Sequence, residues 1–221
     1  MTTARFSPRL LLTIITKPTA ALDQVRESGS WLEAYALTVI CTLAAFLLTL
    51  PAQQHLLAAM PTGDLKNSTV GSAPIAFTVA AFLSVVGPPI GWIVEAALLR
   101  IAVGLGRGET SLPRLYALIA IAGVPASIGV LLLGIAVSLH DPNSYNNNVD
   151  VALTLPITAA TLVHRTPQEA NFFGAYGIFN VWSYALIAIG LVRGAKLSPI
   201  AATLTMLALS LGVALARAQL N

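Results

Sequence analysis

The chain has 221 residues, of which 56% are hydrophobic and only 10% charged, with a formal net charge of +3 and a single cysteine. Soluble domains carry roughly 25% charged residues, so an ordinary soluble domain is excluded, and one cysteine excludes an intrachain disulfide framework. The small basic excess suits membrane orientation rather than nucleic-acid binding, so no nucleic-acid partner is expected.

Residues 4–29 read as two short helices lying along a membrane surface. Arg5 and Arg9 suit anionic headgroups, and Lys17-Pro18 marks a turn, with Pro18 in the first turn of the second helix. Ala21, Leu22 and Val25 share one face of that helix, opposite Asp23, Arg26 and Glu27. The apolar run Leu10 to Ile15 is too short for a signal-peptide core and is followed by Lys17-Pro18. Trp31 and Tyr35 mark the membrane interface at which the first span enters.

Five uncharged stretches follow: Ala34 to Ala52, Ala73 to Val94, Leu115 to Leu139, Asn171 to Val192 and Leu197 to Ala216. A helix needs about 20 mostly apolar residues to cross the hydrocarbon core. The expected fold is therefore all-α: a polytopic bundle of five transmembrane helices. Residues 1–30 form a cytoplasmic interfacial segment and residues 31–221 one membrane domain. Nine basic residues (Arg5, Arg9, Lys17, Arg26, Arg100, Arg107, Arg114, Arg193, Lys196) fall on one side of such a bundle and three (Lys66, Arg165, Arg217) on the other. The positive-inside rule then places the N-terminus in the cytoplasm and the C-terminus outside.

The second span carries Gly87-Pro-Pro-Ile-Gly91. Pro88 and Pro89 remove two backbone donors and kink the helix, and Gly87 with Gly91 offers a small-xxx-small face to a neighbour. Glu95, one turn further on, is a carboxylate expected near the cytoplasmic interface. Arg100 is its nearest basic residue in sequence, but a spacing of five points the two side chains apart. Arg114, Tyr116, Arg193 and Lys196 are better placed as partners. In the turn Gly104-Leu-Gly-Arg-Gly-Glu-Thr-Ser, no strand precedes the glycines and no Lys-Ser/Thr pair completes a phosphate loop, so a tight connection between antiparallel spans is expected.

Pro125 interrupts the third span, where Ser127 or a neighbouring helix can satisfy the freed carbonyl. The uncharged segment Val151 to Val163 is too short to cross and contains Pro156, so it is expected to lie on or dip into the outer leaflet. In the fourth span Asn180 is placed for an interhelical hydrogen bond, with Trp182, Ser183 and Tyr184 adding polar atoms nearby. His55, His140 and His164, with Asp64, Asp141, Asp150 and Glu169, fall in the outer loops without metal-ligand spacing. Asn67-Ser-Thr matches the glycosylation acceptor pattern, which has meaning only in a eukaryotic host. No nucleophile–base pair or paired intramembrane carboxylate is present. No catalytic residue, metal ligand or cofactor is assigned, and a non-enzyme is expected.

Three stretches, in order and spacing, resemble the Yip domain proteins, named for interaction with Ypt/Rab GTPases. They are Leu11-Leu-Thr-Ile-Ile-Thr-Lys-Pro-Thr-Ala-Ala-Leu, a short apolar helix before a Lys-Pro turn; Ala102-Val-Gly-Leu-Gly-Arg-Gly-Glu-Thr-Ser-Leu-Pro-Arg-Leu-Tyr-Ala, running on to Val124-Pro125; and Phe179-Asn-Val-Trp-Ser-Tyr-Ala-Leu-Ile-Ala-Ile-Gly-Leu, with a Phe…Trp pair and a closing Gly-Leu. The resemblance implies five spans, a cytoplasmic N-terminus and an outer C-terminus. Eukaryotic members carry a long cytoplasmic tail implicated in GTPase binding. The roughly thirty residues here make a bacterial member, in the cytoplasmic (inner) membrane, the expectation.

These readings point to a membrane organiser or adaptor in contact with the lipid bilayer and with other membrane proteins, its contact surface being the N-terminal segment and the glycine turn. The alternative is a small transporter or channel with a path along the kinked second and third spans, near Glu95 and Asn180.

Overall fold

The computed structural model describes residues 31–59, 73–163 and 166–219, together with Thr13, Thr16, Lys17, Ala20 and Leu22. Arg5, Arg9, most of the proposed N-terminal helices, Asp64, the Asn67 acceptor and His164 lie outside the described residues. From Leu32 on, the described residues form, in order, α1 (Leu32–Ala59), α2 (Ala73–Leu105), α3 (Leu112–Ala122), α4 (Val124–Ser138), α5 (Asn148–Leu153), α6 (Ala160–Val163), α7 (Pro167–Gly174), α8 (Ile178–Gly194) and α9 (Pro199–Ala218). The protein is an all-α bundle. Helices α1, α2, the continuous pair α3–α4 and α9 are each long and apolar enough to cross a membrane. Helix α8 is apolar and 17 residues long, about 26 Å at 1.5 Å per residue, close to the hydrocarbon thickness.

Two span boundaries differ from the sequence reading. The second helix does not stop at Val94 but runs on to Leu105. An uncharged run ends at its first charge, whereas a helix ends where its backbone is capped. The fourth stretch is divided: Asn171 belongs to the short helix α7, and the long helix starts at Ile178. Thr166 and Glu169 form a capping box at the start of α7, with Pro167 in its first turn, which commits those residues to a separate local helix. The segment Val151 to Val163 is likewise broken. Helix α5 ends at Leu153, Pro156 lies in irregular chain, and the backbone pairs briefly with the start of α8 through Ile178 N–H to Ile157 O (3.0 Å).

Lipid tails are as apolar as leucine, so association here rests on close packing and a few polar contacts. Helix α1 makes its most extensive contact with α4. Cys41, Ala45 and Ala52 are buried on α1, and Gly134 of α4 is so near that a Cβ there would sit 2.7 Å from Ala45 Cα. Buried Thr38 accepts a hydrogen bond from Ser127 Oγ across the α1–α4 interface (3.0 Å). Ser127 Oγ also approaches Gly123 O (3.2 Å); the carbonyl four residues before Pro125 belongs to Ile121, so Ser127 reinforces the next turn rather than the freed group. The pair Gly87 and Gly91 serves no close approach inside the bundle, since a Cβ at either would meet nothing within 4 Å. Ile40, Leu47, Phe82, Leu83, Leu204 and Leu207 are exposed on the outside. In water these would make a large apolar patch; against lipid they are the expected surface.

Candidate functional site

The residues singled out in the sequence separate into two ends and a packed middle. At the end where Trp31 leads into α1, four rings close a circuit: Trp31 to Tyr35 (5.9 Å between centroids), Tyr35 to Trp92 (6.2 Å), Trp92 to Tyr116 (5.9 Å) and Tyr116 to Trp31 (5.2 Å). Three of the four contacts are edge-to-face, the arrangement that a ring quadrupole favours. Trp31 is thus more than an interface marker: its ring joins α1 to α3.

The prolines of α2 occupy a defined place beside this cluster. A proline at position i leaves the carbonyl of residue i−4 without its helical donor, so Pro88 orphans Ser84 O and Pro89 orphans Val85 O. Helix α1 answers both. Tyr35 donates its hydroxyl to Val85 O (3.1 Å), and Thr42 Oγ lies 3.3 Å from Ser84 O while also approaching Thr38 O in its own helix. The proline pair is a joint between α1 and α2, with each freed carbonyl met by a hydroxyl.

Glu95 follows Trp92 by one turn. Ten residues of α2, about 15 Å of helix, separate it from Leu105, with Arg100 between them. Its carboxylate is half-buried. Among the partners named above, Tyr116 packs on Trp92, Arg114 and Arg193 line a cavity at the entry end, and Lys196 lies 4.0 Å from Glu109. Tyr184 of α8 feels the charge of Arg217 and, more weakly, that of Glu95. Tyr184 is four residues after Asn180, on the same face of α8. Sequence reasoning noted both residues without linking either to Glu95, because the link depends on how α8 packs. Arg100 is exposed, and among the described residues no ion pair joins it to Glu95.

The glycine turn and the connection between α8 and α9 are clasped together. Glu109 N–H donates to Ala195 O (3.0 Å), and the exposed Lys196–Glu109 pair adds little. Helix α2 ends in a Schellman motif: Gly108 N–H reaches Val103 O (2.9 Å) and Arg107 N–H reaches Gly104 O (3.1 Å). The left-handed residue of that motif is Arg107 (φ 58) rather than a glycine. The glycines supply room. A Cβ on Gly106 would meet Leu197 Cδ2, and one on Gly108 would sit 2.6 Å from Ala195 O. We therefore expect Arg107→Gly to be neutral or stabilising by up to about 1 kcal/mol. Gly108→Ala should open the clasp at a cost of about 1–3 kcal/mol. Limited proteolysis at residues 104–111 reads both outcomes: faster cleavage for Gly108→Ala, unchanged or slower cleavage for Arg107→Gly.

A cavity of about 220 Å³ adjoins the clasp, lined by Leu22, Trp31, Arg114, Tyr116, Arg193 and Ala195 among others. Leu22, from the N-terminal segment, is 6% exposed there. At the opposite end a second cavity of about 300 Å³ lies between α4, α7, α8 and the 149–160 segment, and Asn180 and Arg217 line it. Asn180 Nδ2 approaches Gly174 O at 3.5 Å, at the limit of a hydrogen bond. Between the cavities lies a layer of Ile119, Ala120, Ile121, Val124, Leu186 and Ile187, none more than 3% exposed.

The loop residues considered for metal binding serve local structure. His140 Nδ1 approaches Ala136 O (2.8 Å), Asp141 caps the 3-10 turn Pro142–Ser144, Asp150 accepts from Asn146 N–H (2.8 Å), and Glu169 completes the capping box of α7. Among the described residues no three His, Cys, Asp or Glu side chains come together as a metal site.

An all-α bundle with apolar spans, an aromatic girdle at one end and a lipid-facing exterior defines a multi-pass integral membrane protein. The model of the Yip1 domain matches residues 12–216, and the chain belongs to the Yip1 domain family. It is similar to the membrane protein YknW of Bacillus subtilis (strain 168), 23% identical over 193 residues, covering 85% of this chain and 79% of that protein. No solved structure matches the chain.

Proposed function

We propose that this Yip1 domain protein is a non-enzymatic organiser or adaptor for other membrane components. In this reading it has five spans and sits in a bacterial cytoplasmic membrane, its entry end facing the cytoplasm and its C-terminus outside. The observation that carries the reading is the construction of the entry end. The two connections there are bonded to each other, and Leu22 of the N-terminal segment is buried beside them. Leu22 and the two connections thus form one continuous surface available to a partner. The basic residues Arg107, Arg114, Arg193 and Lys196 belong to this end, in keeping with the positive-inside rule.

The test is capture by brief in-cell crosslinking. A stoichiometric membrane partner should be recovered with the full chain, lost when residues 4–29 are deleted, and weakened by Gly108→Ala, with the bundle monodisperse throughout. If the truncated chain kept the same partner or complemented a null strain, the adaptor reading would fail.

One observation favours the transport alternative: Glu95 lies within the body of α2, ten residues before its end. Intramembrane carboxylates commonly mark ion or proton pathways. Against it stand the packed layer between the two cavities and the capped carbonyls of the proline pair. On the organiser reading Glu95→Gln leaves growth and complementation unchanged; abolished proton-coupled flux in proteoliposomes would support transport instead.

A further inference from the structure

The far-end cavity has a chemistry that neither the family nor the proposed role assigns. Its walls are largely apolar, with Val130, Leu133 and Leu155 among them. Four polar side chains interrupt them: Thr158, Asn171, Asn180 and Arg217. Thr158 Oγ1, buried from solvent, has no hydrogen-bond partner among the described residues. Asn180 holds only the long contact to Gly174 O. Arg217, exposed at the end of α9, is the one charged side chain of the lining among the described residues. Val130 lines the cavity and is itself exposed, so the cavity is open to the outside of the bundle.

We propose that this cavity seats an acyl chain of an anionic phospholipid from the leaflet at the far end, with the lipid phosphate on Arg217. A water-soluble solute gains nothing from the apolar walls, and a wholly apolar molecule leaves the Thr158 hydroxyl and the guanidinium without acceptors. A phospholipid satisfies both parts. Its chain fills apolar space that opens on the bilayer, its ester oxygens offer acceptors to Thr158 and Asn180, and its phosphate makes charge-assisted hydrogen bonds to an arginine. With no acidic side chain in the lining among the described residues, Arg217 selects an anionic headgroup over a zwitterionic one, whose ammonium it would repel. The proposal is independent of the organiser reading, and either can fail alone.

The experiment reconstitutes the full chain in vesicles of phosphatidylethanolamine with a minor fraction of phosphatidylglycerol. The protein is then extracted in mild detergent and its retained lipids are counted by native mass spectrometry. The wild-type chain should retain one phosphatidylglycerol in preference to phosphatidylethanolamine. Arg217→Gln should reduce that preference about tenfold or more, as expected for loss of a charged hydrogen bond. Gly174→Leu is the second variant. It adds a side chain where a Cβ meets nothing within 4 Å, so it fills the cavity without a clash and should reduce retention of either lipid. Arg100→Gln, on the exposed side of α2, should change nothing. Equal retention by all four proteins overturns the proposal. So does loss with Arg217→Gln but not Gly174→Leu, which would leave a headgroup site without the cavity. A retained free fatty acid in place of the phospholipid also overturns the phospholipid assignment.

Discussion

Tyr35→Phe is expected to destabilise the bundle by about 1–3 kcal/mol, the cost of leaving a half-buried acceptor unmet within the bilayer. The substitution keeps the ring, and with it the contacts to Trp31 and Trp92, and removes only the hydroxyl that Val85 O accepts from. At membrane depth no bulk water replaces it. Thr42→Val should behave similarly but more mildly, because the Thr42 hydroxyl is shared with carbonyls of its own helix. The decisive measurement is a double-mutant cycle. Pro89→Ala restores a backbone N–H directed at Val85 O, so Tyr35→Phe should cost much less in the Pro89→Ala background than in the wild type. Thermal unfolding in detergent, or unfolding in mixed micelles of rising denaturing-detergent fraction, would read the difference. Additive losses would show that the hydroxyl is not the replacement for the missing helical donor.

The second large effect is expected at Gly134. An added Cβ would lie 2.7 Å from Ala45 Cα and 3.1 Å from Ala45 O, and backbone atoms, unlike the tip of a flexible side chain, cannot swing aside. Gly134→Ala should therefore force α1 and α4 apart and cost about 1–3 kcal/mol, with Gly134→Val worse. The Thr38–Ser127 hydrogen bond crosses the same interface and should lengthen with it. Gly190→Ala is a useful contrast, since there the obstruction is the Leu118 side chain, which can change rotamer. Gly87→Ala and Gly91→Ala should be neutral or stabilising by about 0.5–1 kcal/mol, as for a helical glycine with free space around it. A Gly134→Ala protein as stable as Gly91→Ala would refute the close-packed seam.

These contrasts show what was legible in the residues and what was not. The uncharged runs announced a membrane bundle because the bilayer imposes one length and one polarity on every spanning helix. The same run counting misplaced the end of α2 and the start of α8. Charge is a property of single residues, whereas helix ends are fixed by capping: Arg107 in the left-handed region at one end, the Thr166–Glu169 box before the other. The glycine turn was visible as a turn, but its reason was not. Gly106 and Gly108 are small because a second loop, nearly ninety residues further along the chain, packs against them.

By itself, then, the sequence determined the class, the approximate spans, the carbonyls that Pro88 and Pro89 leave without a helical donor, and the resemblance to the Yip domain proteins. All of these follow from local composition and spacing. The tertiary structure alone decided which glycines face another backbone and which hydroxyls meet the orphaned carbonyls. It also decided that Asn180 and Arg217, 37 residues apart in the chain, line one cavity. Each of these depends on the rotation and depth at which one helix packs on another. In a bilayer that choice is set by small differences in van der Waals contact and by a few buried polar groups, which no single helix carries in its own sequence.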